Sequence, residues 1–84
     1  VAIKKTKKVV IMINGVHDVY DFINEASKVE GDVLLSRGRF AVDGKSFLGV
    51  FAIDPSLGAI ITYPASATEF EEYISQFVVN KQID

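Results

Sequence analysis

The chain contains one histidine, His17, inside the stretch INGVHDVYDF (residues 13–22), where strand-like residues give way to helical spacing. Imidazole is the side chain whose unperturbed ionisation lies near neutrality, so at a helix mouth it could accept a phosphoryl group or relay a proton. It could equally be a solvated residue in the first turn. Asp18 follows it directly and Asp21 comes one turn later; carboxylates there interact favourably with unpaired first-turn N–H groups and repel an incoming phosphate. A second group capable of chemistry is Ser46, just ahead of Phe47-Leu48-Gly49-Val50-Phe51. A hydroxyl there suits a helix N-cap and equally a phosphorylation site, because a phosphate at the first turn is electrostatically tolerated. Asp43, Asp54, Glu69, Glu71 and Glu72 show no metal-ligand spacing and read as solvated or capping residues, so neither a metal nor a cofactor is expected. The sequence has no cysteine, which removes disulfides, thiolate ligands and thiol nucleophiles together.

The elements that would position these groups follow from periodicity. KKVVIMIN is rich in β-branched residues and ends at the turn signal Asn14-Gly15, so it reads as a first strand. From Val16 the apolar residues Val16, Val19, Tyr20, Phe22, Ile23, Ala26 and Val29 keep helical spacing up to Gly31. DVLLS and RFAVDG form a hairpin around Ser36-Arg37-Gly38-Arg39. Ser46 then caps a short helix over about 47–52, AIITY is a last strand stopped by Pro64, and a final helix opens with Ser66 reaching to Glu69 in a capping box. Its apolar stripe is Phe70, Tyr73, Ile74, Phe77 and Val78. The order β-α-β-β-α-β-α predicts an α+β open-faced sandwich, a four-stranded antiparallel sheet with three helices on one face, close to a ferredoxin-like split β-α-β arrangement. At 84 residues, 1–84 is expected to be a single domain.

Nine Lys and Arg stand against eleven Asp and Glu, a net charge of −2 that gives no reason to expect nucleic acid as a partner. The basic cluster Lys4, Lys5, Lys7 and Lys8 flanks the first strand, where lysines discourage unwanted pairing if that strand is an edge. Apolar runs such as Val9 to Ile13 fall far short of the ~20 residues of a membrane span. No signal-peptide pattern is legible, and a cytoplasmic location is the expectation.

NGVH at the end of the first strand, FINEASK in the first helix and GKSFLGVFAIDPSLGAIITYPASATEFEEYI resemble, over nearly the whole chain, the HPr phosphocarrier proteins of the sugar phosphotransferase system. The run Lys45-Ser46, an apolar pair, Gly49-Val50 and a later Gly before an isoleucine-rich strand is the most specific part of the likeness. The resemblance implies an HPr-like fold, a phosphoacceptor histidine at the exit of the first strand, and a regulatory serine at Ser46. It also implies an apolar patch at Phe47, Leu48 and Phe51 that docks enzyme I, enzyme II components or a transcriptional regulator. In that family the strand exit reads Gly-Leu-His-Ala-Arg-Pro-Ala, whose arginine supplies charge-assisted hydrogen bonds and whose proline suits the helix start.

This chain reads Gly15-Val16-His17-Asp18-Val19-Tyr20-Asp21 instead. Aligned from the strand, His17 takes the acceptor position within an active-site loop of Asn14, Gly15 and Asp18. Aligned from the helix without a gap, Gly15 takes it and His17 falls on the arginine. On either alignment no arginine or proline follows. The expectation is an HPr-family regulatory or interaction module with impaired or absent carrier activity. Its partners would be phosphotransferase-system proteins, an HPr kinase acting on Ser46, or a transcriptional regulator. The alternatives are a working carrier using His17 and a divergent domain of this fold with an unrelated partner.

Overall fold

The computed structural model describes residues 5–80, so Lys4 of the basic cluster lies outside the described residues. Strand β1 (Thr6–Ile11) leads into helix α1 (Val16–Ser27), and β2 (Leu34–Arg37) and β3 (Phe40–Asp43) form a hairpin. Helix α2 (Phe47–Ile53), a 3-10 turn (Pro55–Leu57), β4 (Ala59–Pro64), α3 (Thr68–Ile74), a second 3-10 turn (Ser75–Phe77) and β5 (Val78–Asn80) complete it. The sheet order is β3-β2-β4-β1-β5 with every pairing antiparallel. β4 therefore lies between β1 and β2, which run parallel to each other and are joined through α1, a split β-α-β unit.

Alternation along the strands decides which face is covered. Leu35 and Ile61 are fully buried, and their cross-strand neighbours Val9 and Val42 pack against the same core. Phe22, Ile23 and Ala26 of α1, Val50 and Ile53 of α2, and Phe70 and Ile74 of α3 meet them from one side. The chain is α+β, with three helices on one face of an open sheet.

Several boundaries differ from the periodic reading. The sheet has five strands, not four: the final helical stripe breaks after Ile74, the chain tightens into a 3-10 turn, and β-branched Val78 and Val79 enter β5 against β1. β1 is accordingly not an edge strand over its second half, where Val10 and Ile11 pair on both sides. The Ser66–Glu69 capping box does not form, because α3 starts one residue later with Ala67 at the N-cap, which puts Phe70 and not Glu69 at the third helical position. Helix α1 ends at Ser27, before Gly31, and Val16 and Tyr20 of its expected stripe are exposed. The hairpin turns on Gly38-Arg39, with φ +61° at Gly38, the conformation that a glycine at the first position of a two-residue hairpin loop provides.

Candidate functional site

The exit of β1 is held by Ile13, whose N–H donates to the Pro55 carbonyl at 3.1 Å. The chain then enters α1 through Gly15, at φ +92° and ψ 136°, a backbone region that side chains with a Cβ rarely adopt. Gly15 offers no side-chain cap, and its carbonyl accepts from the Val19 N–H. Asn14 and Asp18 are exposed, Asp18 within the first turn. The His17 side chain is 89% exposed and its Nε2 lies 3.4 Å from Asp21 Oδ2, one turn further into the helix. The imidazole thus leans along the outside of α1, away from the unpaired N–H groups at its mouth. Of the two arginines, Arg37 donates to the carbonyls of Asp54 (3.0 Å) and Gly58 (3.4 Å), and Arg39 sits in the hairpin turn. Among the described residues no three metal-ligating side chains gather at one place.

Ser46 is the N-cap of α2: its backbone is extended and its Oγ accepts from the Gly49 N–H at 3.2 Å. Two contacts fix the approach to this cap. Asp43 Oδ1 accepts from the Lys45 N–H at 2.9 Å, and Lys45 Nζ donates to the Val29 carbonyl at 2.7 Å, beyond the end of α1. Gly49 lies so close to β3 that a Cβ there would stand 3.1 Å from Val42 Cβ, which lets α2 sit down on the sheet. Val50 and Ile53 point inward, and a helix of seven residues has no room to bury its other large side chains.

Those side chains form an aromatic surface. Phe47 is 45% exposed, Leu48 87% and Phe51 38%, and Tyr20 of α1, at 46%, packs on both phenyl rings with centroid separations of 5.3 and 5.4 Å. Val16, one turn before Tyr20, is exposed as well. Tyr20, which helical spacing groups with Val19 and Ile23, lies on this surface and not in the core. A signal for its true place was present in Phe47 and Phe51, an i, i+4 aromatic pair on a helix too short to hide it. Ser46 adjoins Phe47 at the N-terminus of α2 and Phe51 lies one turn on against the same Tyr20 ring, whereas His17 contacts Asp21 of α1.

A second polar constellation was not legible in the sequence. Lys7 and Tyr63 are cross-strand neighbours in β1 and β4, and both reach Glu71 of α3. Lys7 Nζ donates to the carboxylate at 2.9 and 3.2 Å, which with the Tyr63 hydroxyl holds Glu71 below the ordinary carboxylate range. Burial, and then the hydrogen bond to Glu71, push Tyr63 up. Tyr73 is raised to about 12, by burial and by the carboxylates of Asp21, Glu25 and Asp18 on α1.

The chain has no helix long and apolar enough to cross a membrane among the described residues. No family model, curated protein or solved structure matches the chain.

Proposed function

We propose that the chain is an HPr-like interaction module of the sugar phosphotransferase system that acts through the surface beside Ser46 and has impaired or absent histidine phosphocarrier activity. The observation that carries the reading is the exposed cluster of Tyr20, Phe47, Leu48 and Phe51 next to a serine whose hydroxyl caps α2. Adjoining aromatic and aliphatic side chains left in solvent are the usual makings of a protein-docking surface. A phosphoryl group on Ser46 would place charge at its rim, within reach of first-turn N–H groups. Enzyme I or enzyme II components, an HPr kinase, or a transcriptional regulator are the partners that the sequence resemblance implies.

The element order β-α-β-β-α-β followed by a third helix supports the HPr-like part of the proposal, with β5 as an addition. His17 supports the loss of carrier activity: its Nε2 faces Asp21, Asp18 occupies the first turn, and the arginine and proline of the family's motif are missing. A second reading, a working carrier, is favoured by the accessibility of the imidazole, 89% exposed.

One assay separates the two. The chain is incubated with enzyme I and labelled phosphoenolpyruvate, and acid-labile label is followed beside an ordinary HPr. Little or no label at His17 is expected. Labelling at a rate similar to HPr, lost in His17→Ala, would establish the carrier instead.

A further inference from the structure

The sheet face turned away from the helices is laid out in cross-strand rows. The register aligns Lys8, Thr62, Leu34 and Asp43 in one row and Val10, Ile60, Ser36 and Ala41 in the next. Both rows alternate with the buried row of Val9, Ile61, Leu35 and Val42, so they belong to the uncovered face. An open face of an antiparallel sheet usually carries polar residues, yet here Val10, Ile60, Leu34 and Ala41 occupy it. Lys8, Leu34 and Asp43 are exposed.

The charges are placed so that the face complements itself. Lys8 on β1 stands at one end of its row and Asp43 on β3 at the other, with Thr62 and Leu34 between them. A two-fold axis parallel to the strands, between β4 and β2, reverses the row. It sets Lys8 of one copy over Asp43 of the other, twice by symmetry, and Leu34 over Thr62. The second row reverses likewise, bringing Val10 over Ala41 and Ile60 over Ser36. Aligned sheets pack about 10 Å apart, a gap that an extended lysine and an aspartate span together. Any other shift of the two rows opposes like charges or leaves both ends unpaired.

From this we infer that the uncovered sheet face is a homodimer interface, isologous and held in register by reciprocal Lys8–Asp43 ion pairs around Leu34, Val10 and Ile60. The two rows contribute eight residues per copy, fewer than the roughly 20–30 a side of a standard interface, so the dimer is weak and concentration-dependent. The helices lie on the opposite face, and each copy keeps its Tyr20, Phe47 and Phe51 surface free. The dimer would then present two such surfaces outward, a bivalent arrangement.

Sedimentation equilibrium on the wild-type chain is expected to show a monomer–dimer equilibrium half complete at roughly 0.1 to 1 mM. Lys8→Glu and Asp43→Lys, measured separately, should each weaken association by about tenfold or more, and an equimolar mixture of the two should regain it. In the mixed dimer both ion pairs are restored, which no structural role of either residue predicts. Asp43 also accepts from the Lys45 N–H, so the fold of each variant is checked by circular dichroism, and Leu34→Lys, at an exposed site, provides a second test by abolishing the dimer. A chain that stays monomeric to about 2 mM overturns the inference. So does self-association that survives Leu34→Lys, or concentration-dependent amide shifts confined to Tyr20, Phe47 and Phe51, which would place the contact on the aromatic surface.

Discussion

Tyr63 donates its hydroxyl to Glu71 Oε2 at 2.7 Å, fastening the first turn of α3 to the middle of the sheet. The tyrosine ring is packed edge-on against Phe70 and the residue is almost wholly buried, so its O–H has few alternative partners. Lys7 completes the arrangement from the neighbouring strand. Glu71→Ala leaves a buried hydroxyl without an acceptor and should destabilise the fold by about 1–3 kcal/mol, Tyr63→Phe by about 1–2 kcal/mol. In the double variant the second substitution should add little, because both remove the same bond. Urea denaturation of the four proteins measures this coupling, and additive losses would mean that the bond contributes nothing to stability.

The same pair sets an acid limb of stability. Glu71 is lowered from 4.5 by the Lys7 and Tyr63 hydrogen bonds, so between its folded and unfolded values the unfolded chain binds more protons and stability rises with pH. Its contribution is fully present above about pH 4.5 and is lost as pH falls through the lowered value. Glu71→Gln should therefore narrow the stability difference from wild type as acid is added. Tyr63 acts at the other end: raised above 10.0, it withdraws stability once pH climbs past the unfolded value. Denaturation midpoints followed from pH 3 to 6, with Lys7→Met as a second variant, check the acid limb.

Local chemistry accounts for what was legible in the sequence. The β-branched run of β1 and the serine before an apolar i, i+3, i+4 pattern in α2 act within a few residues and mark elements that the structure contains, although β1 ends at Ile11, before Asn14, and Pro64 is the last residue of β4, paired with Thr6, and not a stop ahead of it. What the sequence hid depends on partners far along the chain. Residues 78–80 become β5 because β1 offers them an unpaired edge, and Tyr20 joins the surface of α2 because its ring packs on Phe47 and Phe51. Neither relationship has a signature inside its own segment. The cluster of Lys7, Tyr63 and Glu71 was equally invisible, since it needs the β1–β4 register before the residues become neighbours. At the candidate site the residue types could be read directly, but the exposure of the His17 side chain and its 3.4 Å approach to Asp21 needed the structure.

Gly44 provides a test of packing at the end of β3. Its N–H donates to the Val33 carbonyl at 2.6 Å, and a Cβ added there would stand 2.7 Å from Val33 Cγ1 and 3.1 Å from the Val33 carbonyl oxygen. The valine is fully buried in the core and its carbonyl is already bonded, so neither can move aside freely. Gly44→Ala should cost about 1–3 kcal/mol, the range of overpacking in a filled interior. Val33→Ala in the same chain should recover part of that loss, because it clears the nearer contact. Thermal denaturation of the single and double variants reads the result, and a neutral Gly44→Ala would show that the β3 end is looser than its contacts indicate.

Ser46 links the stability of α2 to the aromatic surface. Its Oγ accepts from the Gly49 N–H, so Ser46→Ala removes the only side-chain cap of that helix and should lower stability by about 0.5–2 kcal/mol. Ser46→Asp keeps an acceptor oxygen at the same place and adds a negative charge beside the first-turn N–H groups, where it is favourable by about 0.3–1 kcal/mol. Its melting temperature should match or exceed that of wild type, and a phosphoryl group, with a charge of about −1.5 to −2, should leave the fold intact for the same reason. Toward a partner seated on Phe47 and Phe51 the charge acts differently: it repels an acidic surface, opposes burial against an apolar one, and attracts one that carries arginines. Ser46→Asp and Ser46→Ala should thus separate in binding as well as in stability, the first shifting partner preference with α2 intact, the second weakening α2 without adding charge. Denaturation midpoints give the stability order, and titration of each variant with a candidate partner gives the binding order. An aspartate variant that melts well below the alanine one would show that Ser46 does not serve α2 as an N-cap and would remove the link between its modification and the surface beside it.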